Sequence, residues 1–271
     1  MTSPLRRAAP ALAVAAASAL LAACSASSAV EPSPTPPPPT PSSPSTSTPT
    51  TPADPGLVVG LGDSVTAGSS CGCTTFIDLY AAGLAERQHR PVRAANLGRP
   101  GLTSAGLDQQ LATPVAREQL SRADTVVVTA GANDLVPLVR SWQSGGCPAA
   151  CAAPQVAAMG RQLQAALARL RADLPPGARV LVTNYWNVFQ DGDVADRLYG
   201  DGFADWSDGV TKAANRAICA AATAADDRCV DIYAPFEGAG DRNPTTLLAD
   251  DGDHPNAAGH RLIAQTLLAA P

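Results

Sequence analysis

The chain has 271 residues, 45% of them hydrophobic and 4% aromatic, which describes a globular domain built on Ala, Val and Leu and excludes a disordered chain or a collagen-like fibre. A formal charge of -5, with Lys212 the single lysine among 19 basic residues, supplies no basic cluster of the kind that nucleic acid requires. Of the 25 prolines, 11 fall between Glu31 and Pro55, a density no packed domain accommodates because each removes a backbone donor and fixes φ.

Arg6 and Arg7 come first, followed by an apolar run from Ala8 to Ala23 and then Cys24. This order is that of a secretory signal, and the run is short and Ala-rich for a membrane span. The ending Leu21-Ala22-Ala23-Cys24 resembles the lipobox of bacterial lipoproteins. That resemblance implies cleavage before Cys24, its diacylation, and anchoring to the outer face of the cell membrane; the alternative is an ordinary signal and a secreted protein. The expected organisation is therefore a signal peptide over 1–23, a Pro/Ser/Thr-rich linker over 24–55, and one catalytic-sized domain over 56–271.

Within that domain apolar strand-like runs alternate with amphipathic Ala/Leu runs. Strands are predicted at Leu57 to Leu61, Val92 to Leu97, Thr125 to Ala130, Arg179 to Asn184 and Arg228 to Ile232, each read as apolar on both faces. Helices are predicted at Thr75 to Gln88, Ser104 to Ser121, Gln155 to Asp173, Ser207 to Ala225 and Asn256 to Ala269. The alternation predicts a flavodoxin-like three-layer α/β/α fold with a five-stranded parallel sheet, and places a site at the carboxyl ends of the strands.

Setting Cys24 aside leaves six cysteines: Cys71, Cys73, Cys147, Cys151, Cys219 and Cys229. In an exported chain these read as three disulfides. Cys219 with Cys229 would tie the end of a helix to the next strand. A direct Cys71 to Cys73 bridge spans one residue and would need strained geometry, which keeps a crossing to Cys147 and Cys151 open. Three histidines (His89, His254, His260) and no paired CxxC argue against a metal site.

Four motifs fall at the predicted strand ends. After the first strand, Gly60-Leu61-Gly62-Asp63-Ser64 puts a serine on a strand-to-helix turn, where its hydroxyl can face outward and its backbone N–H can face a bound carbonyl oxygen. After the second, Gly98-Arg99-Pro100-Gly101-Leu102-Thr103 offers a glycine N–H, and after the third, Gly131-Ala132-Asn133-Asp134 offers a neutral amide donor. Before the last helix, Asp251-Gly252-Asp253-His254 spaces a carboxylate three residues before a histidine, able to hold one ring nitrogen and free the other; Asp253 is adjacent and poorly placed for this. Each motif alone also serves as a cap or a turn.

In this order the four blocks resemble the SGNH (GDSL) hydrolase family across essentially the whole domain. The resemblance implies Ser64 as nucleophile, His254 as general base and acid, Asp251 as its orienter, and an oxyanion hole from the Ser64 and Gly101 N–H groups and the Asn133 side chain, with Gly98 the competitor to Gly101. It implies ester hydrolysis through an acyl-enzyme, with no metal or organic cofactor and a monomer expected. Asp63 and Asp134 are assigned to fixing turns, His260 and His89 to packing or surface. Segments Val136 to Pro154 and Tyr185 to Asp208 are expected to wall the pocket, favouring small or medium esters or lysophospholipids. The alternatives are a catalytically silent surface-anchored binding protein, an acyltransferase, or a carbohydrate acetyl esterase.

Overall fold

The computed structural model describes residues 55–145 and 147–270. The signal segment, Cys24 and the linker up to residue 54 lie outside the described residues.

Five strands form one parallel sheet: β1 (Gly56–Gly62), β2 (Val92–Asn96), β3 (Thr125–Thr129), β4 (Arg179–Thr183) and β5 (Arg228–Val230), in the order β2-β1-β3-β4-β5. The helices in chain order are α1 (Ser64–Ala67), α2 (Phe76–Gln88), α3 (Ser104–Leu111), α4 (Pro114–Leu120), α5 (Ala132–Leu135), α6 (Pro137–Gln143), α7 (Ala149–Asp173), α8 (Gly192–Tyr199), α9 (Phe203–Ala224), α10 (Tyr233–Glu237) and α11 (Ala257–Ala269). The sheet is covered on both faces: α2 packs with α11, while α3, α7 and α9 lie side by side. The expected three-layer α/β/α architecture is the one observed.

Burial follows position in the sheet. Central β1 and β3 are buried at every residue, and β4 at all but Arg179. Edge strands β2 and β5 are only partly covered, so the reading of all five strands as apolar on both faces fails there. An edge strand has a neighbouring strand on one side only, and Arg93 and Arg228 are exposed.

The helix boundaries are set by caps. Thr75 caps α2 and Asn256 caps α11 through side-chain oxygens that accept from backbone N–H groups in the first turn. The single helix expected over Ser104 to Ser121 is two helices. Thr113 takes ψ 145°, as a residue before proline is driven to do, then caps α4 with Pro114 in its first turn. Helix α7 begins six residues before the expected Gln155, carrying Pro154 in its second turn, where the missing N–H costs one ladder bond.

The structure has disulfides Cys71–Cys73, Cys147–Cys151 and Cys219–Cys229, the last joining α9 to β5. The crossing between the first four cysteines is not made; with Cα atoms 5.1 and 5.2 Å apart, each pair closes locally. Among the described residues no helix is long and apolar enough to cross a membrane.

Candidate active site

A strand order that turns back at β1 opens a crevice beyond the carboxyl ends of β1 and β3, and the chain leaves both strands into it. Leaving β1, Gly62 sits at φ +125°, and a Cβ there would lie 1.9 Å from the Thr129 carbonyl oxygen, so only glycine allows β1 and β3 to end this close together. Asp63 then caps α1, its carboxylate accepting from the Val65 N–H at 3.0 Å and from the Thr129 hydroxyl at 2.8 Å. A third donor comes from the Tyr185 hydroxyl, 122 positions away in sequence. Burial pushes the Asp63 carboxyl up from its ordinary value, and these three donors pull against that shift. Asp63 thus fixes the turn that presents Ser64 as the first residue of α1.

Asn133 leaves β3 in α5. Its amide donates to the Leu102 carbonyl at 3.0 Å, which fixes its plane across to the β2–α3 loop and leaves the second amide hydrogen for the cavity. Asp134 accepts from the Ser104 N–H at 2.8 Å and so locks the same loop to α5.

Gly98 and Gly101 are separated by their surroundings. The Gly98 N–H donates to the Asn96 side chain at 2.9 Å, and a Cβ at Gly98 would lie 2.2 Å from the Ala67 nitrogen, so Gly98 allows this loop to press on α1. Gly101 occupies the turn before α3 with open space beside its Cα. Neither the Gly101 nor the Ser64 N–H has a hydrogen-bond partner among the described residues.

The histidine arrives from the other end of the chain. Asp251 Oδ2 lies 2.8 Å from His254 Nδ1, against 4.0 Å for Asp253 Oδ2. The other Asp251 oxygen accepts from the N–H groups of Asp253 and His254, at 2.9 and 3.0 Å. Partial burial opposes ionisation of Asp251, yet the Ser70 side chain, those two N–H groups and the His254 ring together hold its pKa down to about 2. The loop is held against the segment after β4: Gln190 donates to the Asp251 carbonyl at 3.1 Å, and the Asp191 N–H to the Gly252 carbonyl at 2.7 Å.

Ser64, Asn133 and His254 line one cavity of about 310 Å³; Asp251 stands behind His254, and Gly101 lies outside the lining. Both expected wall segments contribute, through Val136, Val139 and Arg140 on one side and Trp186 and Phe189 on the other. The first is largely helical, comprising α6 and the start of α7. Trp142 and Trp206 do not reach the cavity; they pack in an aromatic cluster with Phe203, whose ring centre is 5.0 and 5.5 Å from theirs. His260 is fully buried, its Nδ1 accepting from the Phe76 N–H at 3.2 Å, and burial lowers its pKa to about 4. Cys71, Cys73 and His260 are close enough together to hold a metal ion, but the two thiols are already joined to each other. Sequence reasoning missed Tyr185 and Ser70, because neither sits in a block with the groups it supports.

A sheet of this order with a serine turn after β1 and an amide after β3 defines the class of three-layer α/β/α acyl hydrolases. The chain belongs to the GDSL-like lipase/acylhydrolase family, whose model matches residues 61–262, and it is a carboxylic-ester hydrolase. It is similar to the spore germination lipase LipC of Bacillus licheniformis, 22% identical over 223 residues covering 78% of this chain and 93% of that protein. Among solved structures it is similar to the lipase Lip_vut3 from a goat rumen metagenome, with TM-score 0.67, 20% identity and coverage of 79% of this chain and 97% of the other. Phospholipase A1 from Streptomyces albidoflavus NA297 has TM-score 0.56 at 22% identity, covering 80% of this chain and 100% of the other. At such identities both structures speak to the fold.

Proposed function

We propose that Ser64 is the nucleophile of an acyl-enzyme mechanism. His254 Nε2 takes the Ser64 proton as Oγ attacks the ester carbonyl, while Asp251, ionised at about 2, holds Nδ1 and stabilises the imidazolium. The oxyanion is received by the Ser64 and Gly101 N–H groups and the free amide hydrogen of Asn133. His254 then protonates the leaving alcohol, and water attacks the acyl-enzyme with His254 again as base, returning the proton to Ser64. The observation that carries this reading is the convergence on one cavity of Ser64 after β1, Asn133 after β3 and His254 from the loop before α11.

The substrates are small or medium acyl esters or lysophospholipids. A cavity of about 310 Å³ lies at the low end of small-molecule pockets, about 300–1,000 Å³, and its apolar wall suits an acyl chain. The protein is exported and held on the outer face of the membrane by a lipid on Cys24.

The test is a panel of p-nitrophenyl esters of rising chain length, with lysophospholipid and acetylated sugar, run on wild type and Ser64→Ala. Hydrolysis of short and medium esters that disappears in Ser64→Ala is expected; folded wild type without activity on any of them refutes the reading. Membrane fractionation of Cys24→Ala tests the anchor, and a variant still on the membrane refutes it.

A further inference from the structure

Val136, the turn residue between α5 and α6, keeps helical backbone angles (φ -47°, ψ -39°), so the chain continues in the helical sense into Pro137 and α6. Along this run the cavity-lining residues include Asn133, Val136, Arg140 and Gln143, spaced i, i+3, i+7 and i+10. That spacing is one face of a helix, so the oxyanion amide and the Arg140 guanidinium stand on one stripe. Seven residues put their Cα atoms roughly 10 Å apart along the axis, and a long helical side chain leans back toward the N-terminus, bringing the guanidinium nearer to Asn133.

Arg140 is exposed, and its side chain has no ion-pair or hydrogen-bond partner among the described residues. Among the described residues it is, apart from His254, the only basic one lining the cavity. Of the acidic lining groups, Asp63 is buried and tied to three donors, and Asp253 belongs to the histidine loop. A guanidinium left unpaired in the cavity wall, with Val136, Val139 and Gln143 also on its side, is suited to a phosphate, which it can grip with two parallel N–H donors.

We propose that Arg140 is a specificity-determining residue that binds a phosphate one glycerol backbone away from the scissile carbonyl, so that the preferred substrates are acyl glycerophosphate esters. This rests on the ester-hydrolase reading above and adds the charge of the substrate to it. The phosphate can come from a lysophospholipid in a bilayer or from a soluble ester, and the experiment separates them.

Kinetics of wild type, Arg140→Gln and Arg140→Lys are measured on dissolved 1-hexanoyl-glycerol and 1-hexanoyl-glycerol-3-phosphate, and on phosphatidylcholine vesicles carrying lysophosphatidylglycerol. In wild type the phosphate ester is expected to have the higher kcat/KM. Arg140→Gln should lower the phosphate-to-neutral ratio of kcat/KM about 10- to 100-fold through KM, in solution as well as on vesicles, and Arg140→Lys should restore part of it. An unchanged ratio overturns the proposal. Equal loss on both dissolved esters means a structural role and also overturns it. Loss confined to vesicles means attraction to a charged surface, which overturns the pocket assignment. Wild type that hydrolyses none of these esters, nor p-nitrophenyl butyrate, overturns the hydrolase reading itself, so the two failures are distinguishable.

Discussion

Glu237 offers a test of the structure away from the catalytic residues. It ends α10 with 8% of its surface exposed, and its Oε1 is buried without a partner. Burial, and then the charge of Asp191 beside it and a hydrogen bond between the two carboxyls, push its pKa from 4.5 to about 8; Asp208 adds to the shift and Arg242 opposes it. The folded protein therefore holds a proton that the unfolded chain releases near 4.5. The stability this contributes is complete below 4.5 and is lost as pH rises through about 8. At about 1.4 kcal/mol for each tenfold, the interval sets a ceiling of roughly 5 kcal/mol, and relaxation of the pair leaves on the order of 2–3 kcal/mol. Glu237→Gln keeps the shape and a donor toward Asp191 but cannot ionise. Thermal and urea unfolding of both proteins from pH 5 to 9 should give similar stability at pH 5. At pH 9 the variant should be more stable, by about 5–10 °C for a domain of this size. Parallel stability curves across that range would refute the buried carboxyl pair.

Asn133→Ala should lower kcat about 100- to 1000-fold with little change in unfolding midpoint, measured on a p-nitrophenyl ester; a loss in KM alone contradicts its oxyanion role. Asp251→Asn should cost about 10³- to 10⁴-fold in kcat, and because Asp251 titrates near 2, no step in the wild-type pH–rate profile between pH 5 and 9 should belong to it. Tyr185→Phe removes one of three donors to the buried Asp63 and should destabilise the protein by about 1.5–3 kcal/mol in urea unfolding, with a fall in kcat; stability equal to wild type would show that Thr129 and Val65 suffice.

Much of this was legible in the chain. Parallel strands buried on both faces must be apolar throughout, so runs such as Thr125-Val126-Val127-Val128 announce the central sheet without any pattern of alternation. The motif blocks could be read because turns at strand ends have local requirements: a glycine where backbones touch, and a short polar side chain that caps the following helix. Where local signals conflicted, the reading slipped. The pattern of apolar residues predicts a helix only from Gln155, just past Pro154, whereas α7 begins at Ala149. Proline is disfavoured beyond the first turn, so it is the packing of α7 against α9 and α3 that offsets the ladder bond lost at Pro154.

What the sequence determined by itself, then, was the layered α/β/α class, the four blocks and the hydrolase family they imply, each resting on interactions within a few residues. Tertiary structure decided the rest, because it depends on pairs far apart in the chain. Tyr185 reaches Asp63 across 122 positions, Asn133 reaches Leu102 across 31, and Gln190 reaches Asp251 across 61. The crevice where these contacts meet exists only once β3 lies beside β1, and no spacing along the chain encodes its volume or brings the segments after β1, β3 and β4 and the histidine loop together around it.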